Sequence, residues 1–175
     1  MSIPQVEIYS LLYQYLKKLD DRGEYVPDVA VAGGITLEDQ AVKALALGAP
    51  YFKLIGMARA PLAAAMVGKT NKGRVPVYIS RFGKSVEEIF ISAPELKKMY
   101  NSRYDGIPPG AMGVYTYFQR LAQGMRQMMT GNRKFALQYI ERDDIAALTR
   151  EAAEVSGIPH VMDVDRDEVE SILNS

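Results

Sequence analysis

The sequence contains no cysteine. That absence removes disulfides, thiolate zinc sites, cysteine-ligated iron–sulfur clusters and cysteine nucleophiles from the chemistry this chain can carry. It has no excess of charge either: 21 Lys and Arg balance 21 Asp and Glu, so no global field draws in nucleic acid or anionic lipid, and neither is expected as a partner. Long hydrophobic runs are missing. The apolar stretches break well short of the ~20 residues a membrane helix needs, and Met1-Ser2-Ile3-Pro4-Gln5 has no basic segment leading into an apolar one. A cytoplasmic protein with no membrane partner is expected. Histidine is nearly absent: His160 is the single one, beside Pro159 and without a local partner motif, which suits a loop residue better than a catalytic base. There is no internal repeat and no low-complexity segment.

What remains is a chain of 175 residues with 24% charged positions, long enough to bury a core without disulfides or a structural metal. Residues 3–20 read as an amphipathic helix with Ile8, Leu12, Leu16 and Leu19 on one face. Ser2 and Gln5 form a possible capping box, and Gly23 is the stop. Asp28 to Ala32 reads as a buried strand closed by Gly33-Gly34. Thr36 with Asp39 starts a helix from Leu37 to Leu47 that Gly48 ends, and Tyr51 to Ile55 is a second strand running into Gly56. Strand, helix and strand have the spacing of a parallel βαβ unit of ~30 residues.

Beyond it, Pro61 to Val67 is predicted as a helix and Gly68 to Arg74 as a basic loop. Short helices are predicted at Ser85 to Ile91 and Pro94 to Tyr100, and Asn101 to Gly110 as irregular. Val114, Tyr117, Phe118, Leu121, Met125 and Met128 then make an apolar stripe along a long helix ending at Gly131. Two last helices are predicted at Asp144 to Val155 and Asp167 to Leu173, the second capped by Asp165 and Glu168.

The chemistry concentrates at Ala32-Gly33-Gly34-Ile35 after the first strand and Ile55-Gly56-Met57-Ala58-Arg59 after the second. In a (β/α) barrel the loops at the C-terminal ends of the last strands commonly bind phosphate through backbone N–H groups. Glycine suits that task because a side chain would hold the phosphate oxygens away from the amides. The same glycines would also serve two tight strand-to-helix turns. Gly68-Lys69-Thr70 ends like a P-loop, but Ala63 stands where the first glycine belongs. Asp163, Asp165 and Asp167 imitate an EF-hand start, yet Glu168 replaces the turn glycine. No metal site is expected.

Gly33-Gly34-Ile35, then Val42-Lys43-Ala44-Leu45-Ala46-Leu47-Gly48-Ala49, then Ile55-Gly56 resembles the last two strands of FMN-dependent barrels such as glutamate synthase. The Lys-Ala-Leu-Ala-Leu-Gly-Ala run also looks like that of the 2-hydroxy-acid oxidases. Met57-Ala58-Arg59-Ala60-Pro61, Ala63 to Lys69 and Phe118 to Ile140 are similar to the FMN-binding glutamate-synthase-related family, so the resemblance covers most of residues 3–150.

The resemblance implies the C-terminal part of a (β/α)8 barrel over residues 1–70, followed by a helical extension over residues 71–175. It implies FMN as cofactor, held at the phosphate end by Gly33, Gly34, Ile35, Gly56, Met57 and Arg59, with Arg59 favoured over Lys53 as the cationic helper. The implied activity is glutamate-synthase-type oxidoreduction in amino-acid biosynthesis, with ammonia supplied by a separate glutaminase subunit. Two departures accompany it. The iron–sulfur cysteines of that family are missing from Gly68 to Ser80, and the segment before Asp28 holds one helix where six strands belong. The expectation is therefore a fragment, one product of a split gene or a minimal relative of such a barrel, with a second polypeptide as one candidate source of the missing strands; the alternative is a noncatalytic barrel remnant that binds a partner polypeptide. No residue is assigned a catalytic role.

Overall fold

A computed structural model describes residues 3–71 and 91–174, with the side chains of residues 69–71 left aside. The first helix, α1 (Gln5–Asp21), starts after Pro4, whose ring fixes φ at −56°, whose ψ of 139° is still extended, and whose carbonyl accepts from the N–H groups of Glu7 and Ile8. Proline at this position replaces the predicted capping box. Ser2 lies outside the described residues, and the Gln5 amide donates elsewhere. At the other end Gly23 adopts φ +68°, as expected of a helix stop. The buried arc differs from the predicted one: Tyr9, Ser10 and Leu16 are buried, Leu12 and Leu19 half-buried, and Ile8 exposed. Ser10 tolerates burial because its hydroxyl donates to the Val6 carbonyl at 2.6 Å.

The βαβ unit forms as predicted. It consists of β1 (Val29–Ala32), α2 (Glu38–Gly48) and β2 (Phe52–Gly56), with the strands paired in parallel and Val31 opposite Ile55, Ala32 opposite Gly56. α2 buries Ala41, Val42 and every residue from Ala44 to Gly48. The strands are not buried on both faces, which corrects the expectation for Asp28 to Ala32. Val31 is buried, but its neighbours Ala30 and Ala32 are exposed, and Leu54 opposite Ala30 is 63% exposed. Alternation along a strand sends successive side chains to opposite faces, so one face of the two-stranded sheet meets solvent. Phe52 is buried against Tyr9, edge to face at 5.6 Å.

α3 (Arg59–Asn71) runs further than predicted, so Gly68 to Asn71 is helix rather than the start of a loop; residues 72–74 lie outside the described range. The helix predicted from Ser85 also falls there. α4 (Ala93–Tyr100) matches its prediction and passes into a 3-10 segment, Asn101–Gly106. α5 (Pro109–Gly131) begins earlier than its apolar stripe, because Pro109 occupies the first helical position, where a missing N–H costs nothing. Along it Gly113, Thr116 and Met129 are buried, whereas Tyr117 and Leu121 are half-buried and Phe118 is exposed.

Thr116 is 1% exposed, and its Oγ1 has no hydrogen-bond partner among the described residues. Thr116→Val keeps the shape and removes the unsatisfied hydroxyl. It is expected to raise stability by about 1 kcal/mol, read as a higher urea midpoint with an unchanged slope.

The helix predicted from Asp144 to Val155 begins only at Arg150: ahead of it a 3-10 turn (Arg142–Asp144) closes on itself through a Glu141–Asp144 capping box. α6 (Arg150–Ser156) then starts from Thr149, whose hydroxyl accepts from the Ala152 N–H at 3.1 Å, and stops at Gly157 with φ +67°. α7 (Arg166–Leu173) follows Asp165, which makes no side-chain cap bond and sits at φ +56°, unlike the predicted cap pair. The chain divides into two compact units, residues 1–33, 39–56 and 127–175 in one and 34–38 and 57–126 in the other. Among the described residues no helix is long and apolar enough to cross a membrane.

Candidate functional site

The unit that holds the sheet brings two of the predicted residues to one place. Because Ala32 pairs with Gly56 in parallel, Gly33 and Gly56 lie at the same ends of adjacent strands. Both are exposed and present bare backbone. Gly33 has φ +111° and the following Gly34 φ +65°, values that L side chains rarely adopt, so the turn after β1 is one that glycine is needed to make. Gly56 is needed for a different reason: a Cβ there would stand 2.9 Å from that of Ala32.

The first turns of α1 tie off the carbonyls at this strand end. Gln5 Nε2 donates to Gly33 O at 2.6 Å, and the Tyr9 hydroxyl donates to Ala32 O at 3.2 Å. Burial raises the pKa of Tyr9, which keeps it a donor. With these carbonyls engaged by α1, the turn carries hydrogen-bonded acceptors on the α1 side.

The second unit holds the other predicted residues. Ile35 is buried, Met57 half-buried, and Arg59 is exposed as the first residue of α3. A cation at the positive end of a helix dipole is unfavourable unless an anion offsets it, and the first turn of α3 contains no acidic residue. Lys53 lies exposed along β2 rather than at its end.

Tyr117 of α5 was not among the predicted site residues. Its hydroxyl donates to the Thr36 carbonyl at 2.7 Å and stands 3.9 Å from Met57 Sδ. Burial, with Glu38 nearby, raises its pKa. In sequence it is indistinguishable from the apolar stripe. The only signal is that a stripe position carries a phenol, whose hydroxyl seeks a partner once it is covered.

The rival motifs have local roles. His160 Nδ1 accepts from the Met162 N–H at 3.2 Å, which closes a turn. Asp163 pairs with Arg150, and that guanidinium holds its carboxyl below the usual range. Among the described residues no group of three or more His, Cys, Asp or Glu is arranged to hold a metal. A cavity of about 490 Å³ in the sheet-bearing unit, lined by Val6, Val42, Leu47, Met128, Ile145 and Leu148 among others, includes none of the candidate residues.

In the sheet-bearing unit, exposed, side-chain-free backbone at the strand ends leaves room for an anion such as phosphate, and no carboxylate stands among the six candidate residues. None of the six carries an aromatic side chain to stack on the flavin ring. Set against protein-family models, curated proteins and solved structures, the chain matches none.

Proposed function

We propose that this chain is the phosphate-binding, C-terminal part of an FMN-dependent (β/α)8-barrel oxidoreductase of glutamate synthase type, acting in amino-acid synthesis in the cytoplasm. The observation that carries this reading is the parallel β1–α2–β2 unit, with glycine at the same end of both strands and with Ala30, Ala32 and Leu54 exposed on one face. In a closed barrel such a face turns inward and is covered by the other strands. In the sheet-bearing unit the backbone N–H groups of Gly33 and Gly56 would face the phosphate, and in the other unit those of Gly34, Ile35 and Met57 and the side chain of Arg59 would serve it. The flavin, when bound, supplies the electron-transfer chemistry, the other strands of the barrel supply the ring pocket, and a glutaminase subunit supplies the ammonia. The exposed apolar face equally favours a second reading, a noncatalytic subunit that binds a partner polypeptide there, since open sheet faces and edges invite pairing.

The chain alone is expected not to hold FMN tightly. A phosphate loop contacts one end of the cofactor, whereas functional sites bury about 70–90% of a ligand of this size. Titration with FMN, followed by flavin fluorescence, should show no submicromolar binding. Supplying the missing barrel segment in trans should restore it. Gly34→Val should abolish the restored binding, because a β-branched residue resists the φ of +65° that Gly34 adopts. Submicromolar binding by the isolated chain would defeat the reading. A colourless stoichiometric complex with the partner would favour the noncatalytic one.

A further inference from the structure

Tyr117 touches both loops that follow the strands. Thr36, whose carbonyl it binds, lies three residues beyond Gly33, and Met57 directly follows Gly56. We propose that Tyr117 is a positioning residue of the phosphate site, its hydroxyl fixing the segment after β1 against the segment after β2 so that the amides of Gly34, Ile35 and Met57 keep one spacing. The proposal rests on the phosphate-site reading above.

Three observations argue for a positioning role over a chance contact. Gly33 and Gly34 both sit at positive φ, in the residue type with the widest backbone freedom, so the segment after them takes its position from whatever anchors it further on. Thr36 is where that anchor falls. The Tyr117 ring is itself held, edge to face, by Phe118 at 5.3 Å. α5 also reaches the same segment a second time: Gly124 lies against the side chain of Glu38, so closely that a Cβ there would collide with it. Positions 117 and 124 are about two helical turns apart on one face, so α5 runs along residues 36–38 and holds them at two points. A phenol suits the task because its single proton goes to the Thr36 carbonyl and a raised pKa retains it there.

Tyr117→Phe keeps the ring and removes only the hydroxyl. In ¹H–¹⁵N spectra of the full chain, solvent exchange of the amides from Gly34 to Leu37 and of Met57 should accelerate about five- to tenfold, the loss of one hydrogen bond. The amides of Val31 and Ile55 in the strands should not change. Titration with inorganic phosphate should shift the Gly34 and Met57 amides of the parent protein, and Tyr117→Phe should weaken that response severalfold. Unchanged exchange at Gly34 to Leu37 would overturn the proposal, as would equal acceleration in the strands, which would mean general destabilisation. Accelerated loop exchange with an unaltered phosphate response would overturn the positioning role. If the parent protein shows no phosphate response at these amides while the loops loosen in Tyr117→Phe, the phosphate-site reading falls and Tyr117 is a structural tether only.

Discussion

Replacing Arg142 with alanine should cost about 3–5 kcal/mol of stability, the largest loss expected from any single charged residue described here. Its guanidinium donates to two backbone carbonyls, Leu47 at the end of α2 and Ser156 at the end of α6. Both carbonyls belong to last turns, where helices leave acceptors without intrahelical partners and where the macrodipole favours a cation. The Tyr13 ring lies 3.9 Å from the guanidinium carbon and adds a cation–π contact. Burial holds the Arg142 pKa below the usual guanidinium value, but the group stays protonated. Each hydrogen bond to a charged donor contributes ~1.5–3 kcal/mol, and the terms are not additive because one side chain makes them all. Arg142→Lys should recover less than half of the loss, since an ammonium on one flexible stem cannot reproduce the planar fork that spans two carbonyls. Urea unfolding of the parent protein, Arg142→Ala and Arg142→Lys decides this: near-equal stability of the lysine variant and the parent would show that charge alone, not the fork, joins the two helix ends.

Nothing in the sequence singles Arg142 out, because Leu47 is 95 residues away along the chain, and pattern reading sees only near neighbours. What was legible is local. The crossover helix α2 and the flanking strands followed from apolar runs closed by Gly33-Gly34, Gly48 and Gly56, each signal lying within a few residues of the element it bounds. The exposed face of β1 was not legible, since an apolar run is the same whether one face is covered or two; the outcome depends on which other strands exist. Local chemistry also misled where two signals competed. Pro108-Pro109-Gly110 reads as a loop, yet Pro109 opens α5, and Asp144 reads as a helix start, yet its carboxylate accepts from the Glu141 N–H at 2.8 Å and closes a 3-10 turn instead. Of the candidate site, the glycine turns were visible in sequence. The supports around them were not: Gln5 reads as half of a capping box and Tyr117 as one more apolar position, yet both bind backbone carbonyls of the segment after β1.

Two glycines of one helix should respond to alanine with opposite signs. Glycine inside a helix costs about 1 kcal/mol relative to alanine, so with open space around it the substitution stabilises. Gly131, the last residue of α5, has nothing within 4 Å of where a Cβ would stand, and Gly131→Ala should gain up to about 1 kcal/mol. Gly113 is buried in the same helix, but a Cβ there would run into the Ala64 carbonyl of α3, and one at Gly110 would stand 2.9 Å from the Ala65 carbonyl. These obstacles are backbone, not the far end of a side chain, so relief requires α3 and α5 to separate. Overpacking of this kind typically costs ~1–3 kcal/mol, which outweighs the gain in helix propensity. Gly113→Ala should therefore destabilise, and Gly113→Val should lose about 3 kcal/mol or more because its branched side chain meets the same carbonyl with greater bulk. Urea midpoints of the three variants test the signs; a stabilised Gly113→Ala would mean that the helices do not approach so closely. The consequence reaches the candidate site. Tyr117 lies about one helical turn beyond Gly113, and Met57 is two residues before α3 begins. Pushing the helices apart at Gly113 should draw the Tyr117 hydroxyl off Met57 and Thr36, so Gly113→Ala should speed amide exchange at Gly34 to Leu37 much as Tyr117→Phe does.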